Sequence, residues 1–293
     1  MNKKERMINK ISGLVVLLIS YVIAYMVGFI IFNLLVKKTP ILVTILLADI
    51  AATIAIFLIG LLYHSPSVYD PYWSIQTAAI GISLMIYYEV SNLGIWLYLV
   101  FILIWSIRLT INFITTFDDI TYIDWRYKML KEKTGKLYII VNLFGIHMFP
   151  TLIVYAASLP FFMYIITPLD FSFADIFGYV IMSFGILLEL FSDISMRKFK
   201  KYRKSNKDLI NIGLWRHSRH PNYFGEITFW VGVGIVYFFR LPEEWYFLLG
   251  SFGIYLMFMF ISIPMAEKNM EKYKRNFNEY KKDHRILLPI PKR

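Results

Sequence analysis

Eight apolar runs, each close to the length of a bilayer crossing, leave this chain few ways to fold. They cover 11–36, 41–63, 74–90, 94–116, 138–166, 174–196, 222–239 and 245–263. A crossing helix needs about 20 mostly apolar residues, and a helix satisfies its own backbone polar groups in lipid. The expected fold is all-α: a polytopic bundle of about seven to eight transmembrane helices, read as one membrane domain over 1–293. The third run is the shortest, and Pro150 and Pro160 are expected to break the fifth. Charged residues make up 17% of the chain, against about 25% in soluble domains. No internal repeat divides it.

The opening MNKKERMINK followed by an apolar run is built like a signal peptide. The run is too long for one and lacks a small-residue cleavage site, so it reads as a retained first span. The chain has no cysteine, which excludes disulfides, cysteine-ligated zinc and a thiol nucleophile.

The net charge is +11. In a soluble chain that would point to nucleic acid, but the placement of the charges points to the membrane. Of the 31 basic residues, 27 fall in the N-terminal arm, in 117–137, in 197–221 and after Met265. With eight spans these segments share one side. Only Lys37, Lys38 and Arg240 fall on the other, while Arg108 sits inside a run. Basic loops stay cytoplasmic, so both termini are expected there, with 197–221 and 265–293 as cytoplasmic basic segments of an integral membrane protein. Attraction to anionic membrane lipids accounts for most of this charge. No nucleic-acid partner is expected.

Ionisable groups within apolar runs cost roughly 3 kcal/mol each to insert, so they pair or line a polar site. Here they are Asp49, Glu89, Arg108, Glu189 and Asp193, with Asp70 in the polar break HSPSVYDPYWS. Glu189 and Asp193 are four apart on one helix face, which Arg197 and Lys201 continue. That stripe reads either as a structural salt bridge or as a polar wall opening to the cytoplasm.

The densest polar constellation is GLWRHSRHPNYFGE, residues 213–226. Pro221 suits a first helical turn. Arg216, His217, Arg219 and His220 crowd donors ahead of that helix, an arrangement that favours an anion such as phosphate. Asn222 and Glu226 share one face, one turn inside the membrane. An amide and a carboxylate so placed suit a carboxamide or an adenine edge, and Trp215, Tyr223 and Phe224 offer rings for stacking. The two histidines lack a third strong ligand, so no metal is expected, and Ser218 lacks the context of a hydrolase nucleophile.

GLWRHSRHPNYFGE resembles the hallmark segment of the bacterial steroid 5α-reductase-like membrane family. ELFSDISMRKFK (189–200), the tail IPMAEKNMEKYKRNFNEYKKDHRILLPIP, IDWRY (123–127) and the pair Asp70 and Trp73 are similar to other parts of it. The resemblance implies an NADPH-dependent reductase of a carbon–carbon double bond conjugated to a carbonyl. Its substrate would be an apolar lipid, isoprenoid or sterol-like enone drawn from the bilayer. In the reductases an asparagine and a glutamate four residues later hold the nicotinamide end of NADPH, and Asn222 and Glu226 match them. Asp193 matches an acidic cofactor ligand on the preceding helix, and Arg197 and Lys200 match basic ones. The implied cofactor set is Glu189, Asp193, Arg197, Lys200, Arg216, Arg219, His220, Asn222, Tyr223 and Glu226. A further basic family position falls on Asp208, and the substrate-polarising tyrosine is replaced by Trp105. The polarising acid is therefore sought among Asp70, Glu89 and Tyr88. The competing classes are the S-adenosylmethionine-dependent membrane methyltransferases, which share the Arg-His-Pro-x-Tyr core, and a non-catalytic lipid-binding membrane protein. Glu267 stands without the adjacent glutamate that the methyltransferases carry.

Overall fold

The computed structural model describes residues 3–167 and 169–291. We number its helical stretches α1 (Lys3–Leu35), α2 (Ile41–Leu62), α3 (Tyr72–Tyr87), α4 (Leu93–Thr116), α5 (Trp125–Ile166), α6 (Asp175–Tyr202), α7 (Pro221–Phe238), α8 (Pro242–Tyr273) and α9 (Phe277–Asp283). No strand occurs among the described residues, and one isolated bridge joins Ser218 to Arg285. The architecture is an all-α polytopic bundle, and the protein is an integral membrane protein.

Apolar side chains stand outward along the helices, among them Leu18, Val22, Phe177 and Phe260. Six stretches are long and apolar enough to cross a membrane: α1, α2, α4, α5, α6 and α8. The expected breaks at Pro150 and Pro160 do not form. The helix instead widens into a π segment, Asn142–Met148, which places Pro150 just after it, and it continues through Pro160.

Contacts divide the chain into two compact units, 1–83 with 105–155 and 84–104 with 156–293. In the first unit, Arg6 pairs with Asp118 at 2.7 Å and Lys10 Nζ donates to Ile114 O at 2.6 Å. Ser65 Oγ donates to Tyr122 O at 2.5 Å, and Asp124 N donates to Ser67 Oγ at 3.0 Å. The start of α1, the α2–α3 connection and the chain after α4 therefore share one end. The connection folds back on α2. Ser65 N donates to Gly60 O, and Ser65 through Tyr69 are all buried. The middle of the polar break is thus internal. The unit's core joins Leu17, Ala24, Ala52, Ile56, Val68, Tyr69, Tyr72 and Phe117.

In the second unit, α6 and α7 run antiparallel in close contact. Gly178 opposes Gly232 and Gly185 opposes Gly225. A Cβ added to Gly185 would meet Phe229 N at 2.6 Å and Gly225 O at 2.8 Å. Small residues let helix backbones approach where lipid removes the hydrophobic drive between helices. One end of this pair is locked by Arg240, which donates to Asp170 O at 2.6 Å and lies 3.3 Å from the buried Asp175. At the other end, Lys274 Nζ donates to Asn206 O and Asp208 O at 2.8 and 2.9 Å.

Candidate cofactor site

The glycine contacts position the polar residues of the second unit. A Cβ on Gly225 would lie 2.5 Å from Glu189 Cγ, so the Glu189 side chain rests on that glycine. Glu226 is the next residue. Glu189, Asp193 and Glu226 are buried at 2%, 8% and 5% exposure. Three buried carboxyl groups thus lie along one apolar helix pair, where each needs polar company. Glu226 Oε1 accepts from Trp230 Nε1 at 2.9 Å. Asn222, one turn earlier on the same face, is half-buried, and its Oδ1 accepts no hydrogen bond.

The loop ahead of α7 is held from behind. Trp215 is buried and donates through Nε1 to Ser192 O at 3.0 Å, which ties the loop to α6 beside Asp193. That indole braces the site and is not a free stacking face. The rings of His220 and Tyr223 lie parallel, 3° apart in plane with centroids at 5.1 Å. Tyr223 continues onto Phe258 at 4.6 Å. Phe258 opens the second π segment of the chain, Phe258–Ser262.

Arg219 and His220 meet a partner that sequence reasoning passed over. Glu267 of α8 is buried, 3.1 Å from Arg219 Nε, 3.3 Å from His220 Nε2 and 3.1 Å from Lys281 Nζ. Burial holds the His220 imidazole below its ordinary pKa, against the pull of Glu267. Glu267 shares the inward stripe of α8 with Ile263, and a carboxylate at that spacing on an apolar stripe was the available signal. The tail beyond α9 closes over the loop. Arg219 N donates to Arg285 O, His220 N to Ile286 O, and Tyr280 Oη to Trp215 O at 2.8 Å.

The remaining basic candidates, Arg197, Lys200 and Arg216, are exposed. Asp208, at the position where the family carries a base, accepts from Ser205 N at 2.8 Å and closes a local turn. Among the described residues no three His, Asp or Glu side chains gather as a metal site would require.

The three candidates for the polarising acid are not brought together. Asp70 sits at the start of α3, bonded by the Tyr127 hydroxyl and 3.9 Å from Arg126. Burial pushes its carboxyl up to about 6, although Arg126 pulls it down. Tyr88 and Glu89 lie at the far end of the same helix, where Glu89 is exposed and left-handed at φ 54°.

Over 113 residues the chain is 28% identical to human 3-oxo-5-alpha-steroid 4-dehydrogenase 1, 27% to that of Macaca fascicularis and 22% to that of Rattus norvegicus. These matches cover 39% of this chain and 40% of each relative, so it spans about two-fifths of the length of the curated relatives it matches. No solved structure matches it. A family described as protein of unknown function (DUF1295), which takes in steroid 5-alpha-reductase-like proteins, matches residues 56–284. Residues 56–284 include Glu189, Asp193, Arg219, His220, Asn222, Glu226 and Glu267, and the chain belongs to this family.

Proposed function

We propose that the protein is an NADPH-dependent membrane reductase acting on a carbon–carbon double bond conjugated to a carbonyl in an apolar, lipid-like molecule. The observation that carries this reading is the pair Asn222 and Glu226. A buried amide oxygen without a donor stands one turn from a buried carboxylate fixed by an indole. A nicotinamide carboxamide fits both: its NH2 can serve the Asn222 oxygen and the Glu226 carboxylate, and its oxygen can take the Asn222 NH2. The half-buried Tyr223 offers a ring to a planar group. The exposed Arg197, Lys200 and Arg216 can meet phosphates from the basic end of the pair, while Arg219 and His220 hold the loop through Glu267. The similarity to steroid dehydrogenases supports the same chemistry.

Bound NADPH would supply a hydride. The chain's own task is to orient the carboxamide, exclude water and polarise the substrate carbonyl. The basic ends of the helices are taken as cytoplasmic, so cofactor enters there and substrate enters from the bilayer.

The test is direct binding to the purified protein in detergent, by calorimetry and tryptophan fluorescence. NADPH is expected to bind and to be oxidised in the presence of an apolar enone. Binding of S-adenosylmethionine without NADPH would place the chain with the methyltransferases. Binding of neither would leave a lipid-binding protein.

A further inference from the structure

The chain leaves α9 and lies against the loop that precedes α7, where its backbone is held. Arg219 N donates to Arg285 O at 2.9 Å and His220 N to Ile286 O at 3.1 Å, while Ser218 Oγ donates to Leu287 O at 2.7 Å. Pro289 and Pro291 favour extended backbone at Leu288 and Ile290. In extended backbone, residues two apart share one side. Ile286, Leu288 and Ile290 are 38%, 45% and 49% exposed, so the side turned away from the protein is aliphatic.

The level at which this side lies follows from its neighbours in the second unit. On α6 the outward surface is apolar at Phe191 and Ile194 and basic from Arg197 and Lys198 on. The loop is pinned just short of that change, since Trp215 Nε1 donates to Ser192 O at 3.0 Å. On α8, Phe260 and Ile261 stand outward, and Lys268 is the first exposed cation after them. Arg219 meets Glu267, the residue before Lys268, at 3.1 Å. Both helices thus place the loop, and the tail bonded to it, where a surface suited to acyl chains gives way to one suited to headgroups. Adjacent aliphatic side chains are poorly placed in water, and at this level a leaflet is at hand to cover them.

We propose that residues 286–290 form an interfacial anchor. Ile286, Leu288 and Ile290 enter the acyl-chain boundary of an anionic leaflet on the basic side of the bundle, and the exposed Arg216, Lys268 and Lys282 meet its headgroups. The stretch is then no free aqueous tail, and the leaflet that holds it also braces the loop ahead of Asn222. The anchor does not rest on the reductase reading.

The experiment places one cysteine in the cysteine-free chain, at 286, 288 or 290, or at the exposed positions 279 or 282 for comparison. Each full-length variant is labelled with bimane and placed in vesicles of phosphatidylcholine and phosphatidylglycerol that carry a spin label high on the acyl chain. Bimane at 286, 288 and 290 is expected to emit to the blue and to lose most of its intensity to the spin label, while 279 and 282 keep theirs. Without phosphatidylglycerol the loss at 288 should be smaller, and an equal loss would overturn the part given to the cations. Each position reports separately, so a variant that does not fold leaves the others to decide. Emission and quenching at 286, 288 and 290 that match 279 and 282 would overturn the anchor. So would disulfide-linked dimers of the unlabelled variants, because a second copy would then cover this face.

Discussion

Gly185 and Gly225 face each other across α6 and α7, each standing where the other's side chain would be, with a Cβ on either coming within 2.8 Å of the opposite carbonyl oxygen. This contact decides the depth and direction of Glu189 and Glu226. In an isolated helix, glycine to alanine stabilises by about 0.5–1 kcal/mol. Here the sign reverses. Gly225→Ala must displace backbone as well as the Glu189 side chain, and it is expected to cost about 1–3 kcal/mol, seen as a lower melting temperature.

Glu226→Gln keeps the shape of the side chain and removes its charge. Trp230 can still donate to the amide oxygen, so the fold should survive. Hydride transfer from NADPH to an enone is expected to fall at least about tenfold, or about 1.4 kcal/mol of barrier. Turnover equal to the parent's would remove Glu226 from the cofactor's reactive end.

Glu267→Ala strips the partner from Arg219 and His220, both buried. An uncompensated buried charge costs about 3–5 kcal/mol, and relief comes by releasing the tail. Limited trypsin digestion should cut faster at Lys281, Lys282 and Arg285 than in the parent. Unchanged digestion would mean that the backbone bonds of Arg285 and Ile286 hold the tail unaided.

Asp70 carries a pH signature. Its folded pKa of about 6 lies above the ordinary carboxyl value because burial disfavours the charge. The native state therefore binds more protons than the unfolded state between about pH 4 and 6, and stability falls as pH rises through that window. The two-unit gap corresponds to about 3 kcal/mol. Asp70→Asn should flatten the melting temperature across that window, and an unchanged slope would assign it to another group.

The cysteine-free chain suits single-cysteine labelling for sidedness. Cysteines at 128, 207 and 279, all exposed positions, should react with a membrane-impermeant thiol reagent only from the cytoplasm, and cysteines at 38 and 243 only from outside. Labelling of 207 from outside would reverse the arrangement.

The sequence by itself determined the all-α membrane fold, because 20-residue apolar periodicity and the cost of unsatisfied backbone in lipid admit little else. It also brought out the pair Asn222 and Glu226, since helical spacing alone puts both on one face. Other features came only with the tertiary structure. The break HSPSVYDPYWS reads as a polar loop, yet it is buried, because Gly60 and the chain around Tyr122 accept its backbone and hydroxyl donors. Arg219 reads as a free cation, yet it meets Glu267 from 48 residues further along the chain. Local spacing fixes which face a side chain takes. What that face meets is set by contacts distant in sequence, which no local pattern encodes.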